Sequence, residues 1–217
     1  MQGRYMLSLA AVNLLATSAV AQVPDAFVDS AYHIAARLIG EPLASRALVP
    51  APDLSGYEHV NRACPPCSAP WIRVAFRFHP TPDTQTVALV VVPLDTLGRL
   101  FGGYQVYGAP DCVHDPSRCH WITADSARSS ARALGLPAGL RPWKVKFGWA
   151  EYNAVVWNCD QCYSYSVPGD RPMYAWEVET VTRIGPGDFG PAQYGTYLLI
   201  DAATGAVAAK GGFQREE

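Results

Sequence analysis

Gln193 to Phe213 reads QYGTYLLIDAATGAVAAKGGF, and this stretch decides the fold class. Thr196, Leu198 and Ile200 fall on one face and Tyr197 and Leu199 on the other, which is the two-residue period of a strand. Asp201-Ala-Ala-Thr-Gly205 then reads as a short hairpin loop. An Asp at the entry can accept from backbone N–H groups two residues on, and a Gly at the exit takes up a left-handed backbone without a steric cost. A second small-apolar segment follows. The chain therefore closes on a β-hairpin, a scaffold element that carries no chemistry of its own.

Working back from this hairpin, Tyr174 to Ile184 (YAWEVETVTRI) alternates again. Tyr174, Trp176 and Val178 share one face; Glu177, Glu179 and Arg183 share the other, which reads as a solvated outer surface. Trp143 to Trp149 alternates with Trp143, Val145, Phe147 and Trp149 together, and Asn153 to Trp157 reads as a short strand. Residues 124–134 (ADSARSSARAL) read as a helix with Thr123 as its N-cap, stopped by Gly135 and Pro137.

The first half has the same grammar. Residues 24–39 read as a helix, with Pro24 and Asp25 suited to its first turn and an apolar stripe at Phe27, Ala31, Ile34, Ala35 and Leu38. Gly40 and Pro42 read as its end. Residues 41–70 hold six prolines and no sustained period, which predicts a long loop. Trp71 to His79 predicts a strand with Ile72, Val74, Phe76 and Phe78 inward. Thr86 to Val92 is apolar on both faces and predicts a central strand. An Asp95…Gly98 turn follows, with a further strand expected at 102–107 and a loop at 108–122.

These blocks suggest an internal repeat. Asp29-Ser30-Ala31 through Gly40 parallels Asp125-Ser126-Ala127 through Gly135, and Trp71-Ile-Arg-Val74-Ala-Phe76 parallels Trp143-Lys-Val145-Lys-Phe147. The fold class expected is α+β: tandem helix-plus-antiparallel-sheet halves. A first half spans 22–107 with a Cys-containing insertion at 41–69, a Cys/His linker loop spans 108–123, and a second half spans 124–217. The small-residue helix ending at Gly135, the W-x-V-x-F strand at 143–147, YAWEVETV at 174–181 and TYLLIDAATGAV at 196–207 together resemble the PepSY family of exported, cystatin-like bacterial modules. The resemblance covers residues 124–210. It implies a helix packed on an antiparallel sheet and a binding or peptidase-inhibiting role, and it supplies no catalytic residues.

Residues 1–21 read as an export signal. Arg4 forms the positive n-region, Met6 to Ala16 the apolar h-region, and Ala19-Val20-Ala21 the small-residue cleavage site. The mature chain would begin at Gln22, in the periplasm or outside the cell, with no permanent membrane span. It would carry 16 Lys+Arg against 19 Asp+Glu, since only Arg4 is lost. That balance, with no Lys/Arg cluster in the sequence, excludes the electrostatic footprint of a nucleic-acid binder.

Six cysteines carry the strongest chemical signal: Cys64 and Cys67, Cys112 and Cys119, Cys159 and Cys162. Export and an even count point to disulfides, and the short spacings to three local bridges. Two other chemistries use the same residues. Cys64-Pro-Pro-Cys67 has the spacing of a thiol-redox motif, but that chemistry needs a helix N-terminus after the first Cys, and a Pro-rich loop and a strand flank it instead. Cys112, His114, Cys119 and His120 place four soft or borderline ligands in nine residues, the composition of a metal-handling loop. There is no phosphate-binding glycine loop, nucleophile elbow or dinucleotide fingerprint. The reading is a non-catalytic, cofactor-free binding or inhibitory module for a protein, peptide or envelope partner. The alternative is an exported thiol-redox or metal-handling protein.

Overall fold

The structure, a computed structural model, describes residues 22–58, 70–81, 87–102, 105–150, 155–156, 163–164, 172–188 and 190–216. The expected signal segment and Cys64, Cys67, Cys159 and Cys162 lie outside the described residues. Within them the fold is α+β, with three helices and two four-stranded antiparallel sheets, plus a two-residue ladder between β6 (Val155–Val156) and β7 (Tyr163–Ser164).

Helix α1 (Asp25–Ile39) begins directly after Pro24, with Asp25 against the positive end of the helix dipole, and Gly40 ends it. In its described part, 41–58, the expected loop that follows is largely regular structure. Pro42 does not end α1; it sits in the first turn of a second helix, α2 (Glu41–Ala47), where a missing N–H costs nothing. The chain then runs antiparallel along β3 (Trp71–Phe78) in two short pieces, β1 (Leu48–Pro50) and β2 (Gly56–Glu58). A 3₁₀ turn at Pro52–Leu54 separates them. Proline breaks the strand period here without removing the pairing, which is why the segment reads as structureless in sequence.

Strand β4 (Ala88–Leu94) pairs with the other edge of β3. It is not the central strand that its composition predicts. Ala88, Val90, Val92 and Leu94 face the core, and beyond the β3 ladder the described residues offer only single bridges, from Val91 to Tyr107 and from Leu94 to Leu100. Of the strand expected at 102–107, the described residues show the bridge at Tyr107.

The second sheet runs β10–β9–β8–β5, in the order β10 (Val207–Glu216), β9 (Pro191–Asp201), β8 (Met173–Pro186), β5 (Lys144–Ala150). Helix α3 (Ala124–Ala133) packs on β8 and β5, as α1 packs on β4 and β3. Thr123 caps α3 by accepting from Ser126 N at 3.2 Å, a contact of the kind that contributes about 1 kcal/mol. Both helices present alanines to the sheets, Ala31 and Ala35 on α1 and Ala127 and Ala131 on α3, all fully buried. Alanine lets helix and sheet approach closely, while the sheets supply the bulk from Phe76, Phe78, Trp176, Val178 and Ile200.

These side chains form one contiguous core that includes residues of both sheets. Its junction is aromatic. Phe78, at the end of β3, stacks on Tyr174, at the start of β8, with centroids 5.7 Å apart. Tyr174 in turn stacks on Phe147 at 4.8 Å and meets Trp149 and Trp121 edge-on.

The closing hairpin has the expected geometry. Asp201 Oδ1 accepts from Ala203 N and Thr204 N, and Gly205 N donates to Asp201 O at 2.8 Å. Gly205 has φ 74°, with open space around a would-be Cβ apart from Ile122 at 3.8 Å. Gly195, mid-strand in β9, differs: its φ is not left-handed, but a Cβ there would lie 2.0 Å from Thr180 O and 2.7 Å from the Phe213 ring that covers it. Gly205→Ala is therefore expected to cost about 1 kcal/mol, the price of a left-handed backbone alone. Gly195→Ala should cost several-fold more, because backbone must move; thermal melts of the two variants check the order.

Candidate binding cleft

The loop at 108–123, read from sequence as a linker, is fastened to helix α1 and to the second sheet. Cys112 and Cys119 are joined in a disulfide across it. Val113 N donates to Leu38 O of α1 at 3.1 Å, and Ile122 N donates to Ala202 O of the closing hairpin at 2.8 Å. From β8, the Tyr174 hydroxyl donates to Gly108 O and Trp176 Nε1 donates to Ile122 O at 2.9 Å. Burial pushes the Tyr174 phenol well above its ordinary range, so it stays a neutral donor.

Between this loop and the start of β8 lies a cleft of about 430 Å³. Trp149 and Tyr174 line it from the sheet, Pro110, Pro172 and Met173 add apolar walls, and Asp111, His114, Asp115 and Arg118 supply the polar rim. The rim is held in place. Asp111 Oδ1 accepts from His114 N at 3.2 Å and pairs with His114 Nδ1 at 2.8 Å. Asp115 accepts from Ser117, and Arg118 Nη2 donates to Pro172 O at 2.6 Å, tying the loop to the strand across the cleft. Two carboxylates, an imidazole and a guanidinium around aromatic rings are an inventory for hydrogen bonding and stacking.

Of the residues singled out in sequence, Cys112, His114 and Cys119 converge on this loop. The four-ligand set Cys112, His114, Cys119 and His120 is not assembled. The two sulfurs are bonded to each other, so neither is a thiolate, and the His114 ring is engaged by Asp111. Among the described residues no group of three or more His, Cys, Asp or Glu side chains is placed to hold a metal ion. Asp111 and Arg118 were not anticipated as site residues. The clue for Arg118 was present: charged residues inside a short disulfide loop have few places to point except its rim.

Glu177 and Glu179 require a correction. Their strand face is not solvated; both residues are buried, at 3 % and 4 % exposure. The β5–β8 register places Lys146 opposite Glu177 and Lys144 opposite Glu179. Lys146 Nζ reaches Glu177 Oε1 at 3.4 Å and Glu179 Oε1 at 3.0 Å, and Arg215 Nη2 from β10 reaches Glu179 Oε2 at 3.1 Å. Alternation identified the face correctly, but a period of two cannot tell solvent from a ladder of counter-charges supplied by β5 and β10.

Burial alone would raise the Glu179 carboxyl. Its hydrogen bond with Glu177, together with Lys146 and Arg215, outweighs burial and holds it at about 2. A carboxyl depressed in the folded state contributes stability above its ordinary value of 4.5, and that contribution is lost as pH falls from there toward 2. Melting temperature should therefore drop through this acid window in the wild type, and Glu179→Gln should flatten that part of the profile. Lys146→Ala, which leaves buried carboxylates short of a partner, should cost about 3 kcal/mol at neutral pH in denaturant titration.

The chain matches no family model, no curated protein and no solved structure. Among the described residues, no helix is long and apolar enough to cross a membrane.

Proposed function

We propose that the mature chain is an exported, non-catalytic binding module of PepSY-like type, working in the periplasm or outside the cell on a protein, peptide or envelope partner. The observation that carries this reading is the cleft beneath the Cys112–Cys119 loop, where aromatic rings line the floor and a pinned polar rim surrounds the mouth. Loops held rigidly by a scaffold are where recognition residues concentrate, and pre-organised rims bind without a large ordering cost. The disulfide is consistent with an oxidising compartment.

The same reading takes the two sheets as tandem helix-plus-sheet halves. Supporting it are the paired alanines that each helix buries and the glycine that terminates each helix, with φ 87° at Gly40 and 77° at Gly135. The turns argue for divergence since duplication: Asp95–Gly98 follows the fourth strand of its sheet, β4, whereas Asp201–Gly205 follows the third of its own, β9.

The test uses the mature protein, immobilised and exposed to envelope extract, beside an Asp111→Asn/Arg118→Ala variant of matched melting temperature. A partner held by the wild type and lost by the variant is the expected result, with an exported N-terminus at Gln22. The same partner held equally by both would place recognition elsewhere. Free or metal-loaded thiols in the exported protein would favour the thiol-redox or metal-handling reading.

A further inference from the structure

Helix α3 packs on β8 and β5, and the first sheet meets β5 through β4. That leaves β10 at the outer edge of the second sheet, paired among the described residues with β9 alone. An edge strand presents a row of backbone N–H and C=O groups, which proteins usually blunt with proline, a bulge or a short span. The first sheet does so: its edge opposite β4 is cut into β1 and β2, three residues each, with Pro50 ending one and Pro52 in the turn between them. Strand β10 has ten residues and no proline, and its irregularity, between Val207 and Ala209, lies at its start. From Ala209 to Glu216 its ladder is regular.

The two faces of β10 differ. On one, the Phe213 ring lies over Gly195 and the Tyr197 ring over Gly211, so each strand of the pair fills a place the other leaves empty. On the other, Lys210, Gly212 and Gln214 are exposed. Among the described residues, the side chains of Lys210 and Gln214 make no hydrogen bond or ion pair.

We propose that β10 pairs antiparallel with β10 of a second copy of this chain, joining the four strands of each copy into one continuous sheet about a two-fold axis. An axis normal to the sheet keeps like faces together, so it must pass through a residue. Gly212 is the position that asks for no group already in use. It sets Lys210 opposite Gln214 of the other copy, twice, so that each ammonium donates to a side-chain amide oxygen. On the other face it sets Phe213 opposite Gly211, large against small. With no side chain at Gly211 or Gly212, the two backbones meet unobstructed at the centre. An axis through Phe213 would instead set Lys210 against Glu216, whose Oε1 already accepts from Asp188 N at 2.8 Å. It would also bring together two Phe213 rings, each laid over its own Gly195. A formal charge of −2 on 217 residues puts little long-range repulsion between copies. The contact is confined to one strand from each copy, so the dimer should dissociate on dilution. It does not depend on the function of the cleft beneath the disulfide loop.

The experiment is sedimentation velocity from about 1 μM to about 1 mM protein, which is expected to show monomer passing into dimer. Gln214→Glu turns each Lys210 contact into an ion pair and should tighten the dimer about fivefold to tenfold, while Gln214→Lys should loosen it by a similar factor. The Gln214 side chain is exposed, so the melting temperature of the dilute monomer should hold in both variants. Arg118→Ala, at the cleft, should leave the dimer unchanged. The proposal is overturned if the protein stays monomeric across the range. It is also overturned if a dimer forms whose dissociation constant neither Gln214 variant moves, or which both loosen alike, since Gln214 would then not face Lys210.

Discussion

The structure hangs on Tyr174. Its ring brings the first sheet, the second sheet and the disulfide loop together: Phe78 from β3, Phe147 and Trp149 from β5, and Trp121 from the loop. Each such aromatic pair contributes about 0.5–1.5 kcal/mol beyond the area it buries. The hydroxyl, fully enclosed, donates to Gly108 O and so fixes the start of the loop. A buried phenol needs a partner, and an otherwise buried backbone carbonyl needs a donor; this one bond satisfies both. The same residue lines the cleft, so the packing that joins the sheets also sets the cleft's floor.

The other face of the second sheet is built on a different principle. Where a helix does not cover it, the sheet covers itself. Phe213 lies over Gly195, Lys146 lies between two buried glutamates, and Arg215 joins Glu179 while standing 4.9 Å from the Phe213 ring. The missing side chain at Gly195 leaves room for the Phe213 ring of the neighbouring strand to lie flat. The ladder is costly to desolvate, so it functions only as a complete set.

Much of the scaffold was legible because it rests on periodicity. The closing hairpin, the cap at Thr123, and the inward faces of β3, β5 and β8 follow from two-residue and helical periods that local chemistry enforces. Residues 41–58 were not legible, because prolines disguise β1 and β2, which exist only as partners of β3. Glu177 and Glu179 were misjudged for a related reason: their burial depends on Lys146 and Arg215, residues 31 or more positions away in sequence. The cleft rim was half legible. Cysteine spacing located the loop, whereas the sheet edge that completes the cleft is a tertiary fact.

If Tyr174 joins the sheets into one core, the protein must unfold as one unit. The most direct measurement is equilibrium denaturation followed both by far-ultraviolet circular dichroism and by tryptophan fluorescence, for wild type and for Tyr174→Phe. Coincident single transitions are expected, with the variant's whole curve shifted by about 1–3 kcal/mol as Gly108 O loses its donor. Two separable transitions in the wild type, or a variant in which only one probe shifts, would contradict a shared core.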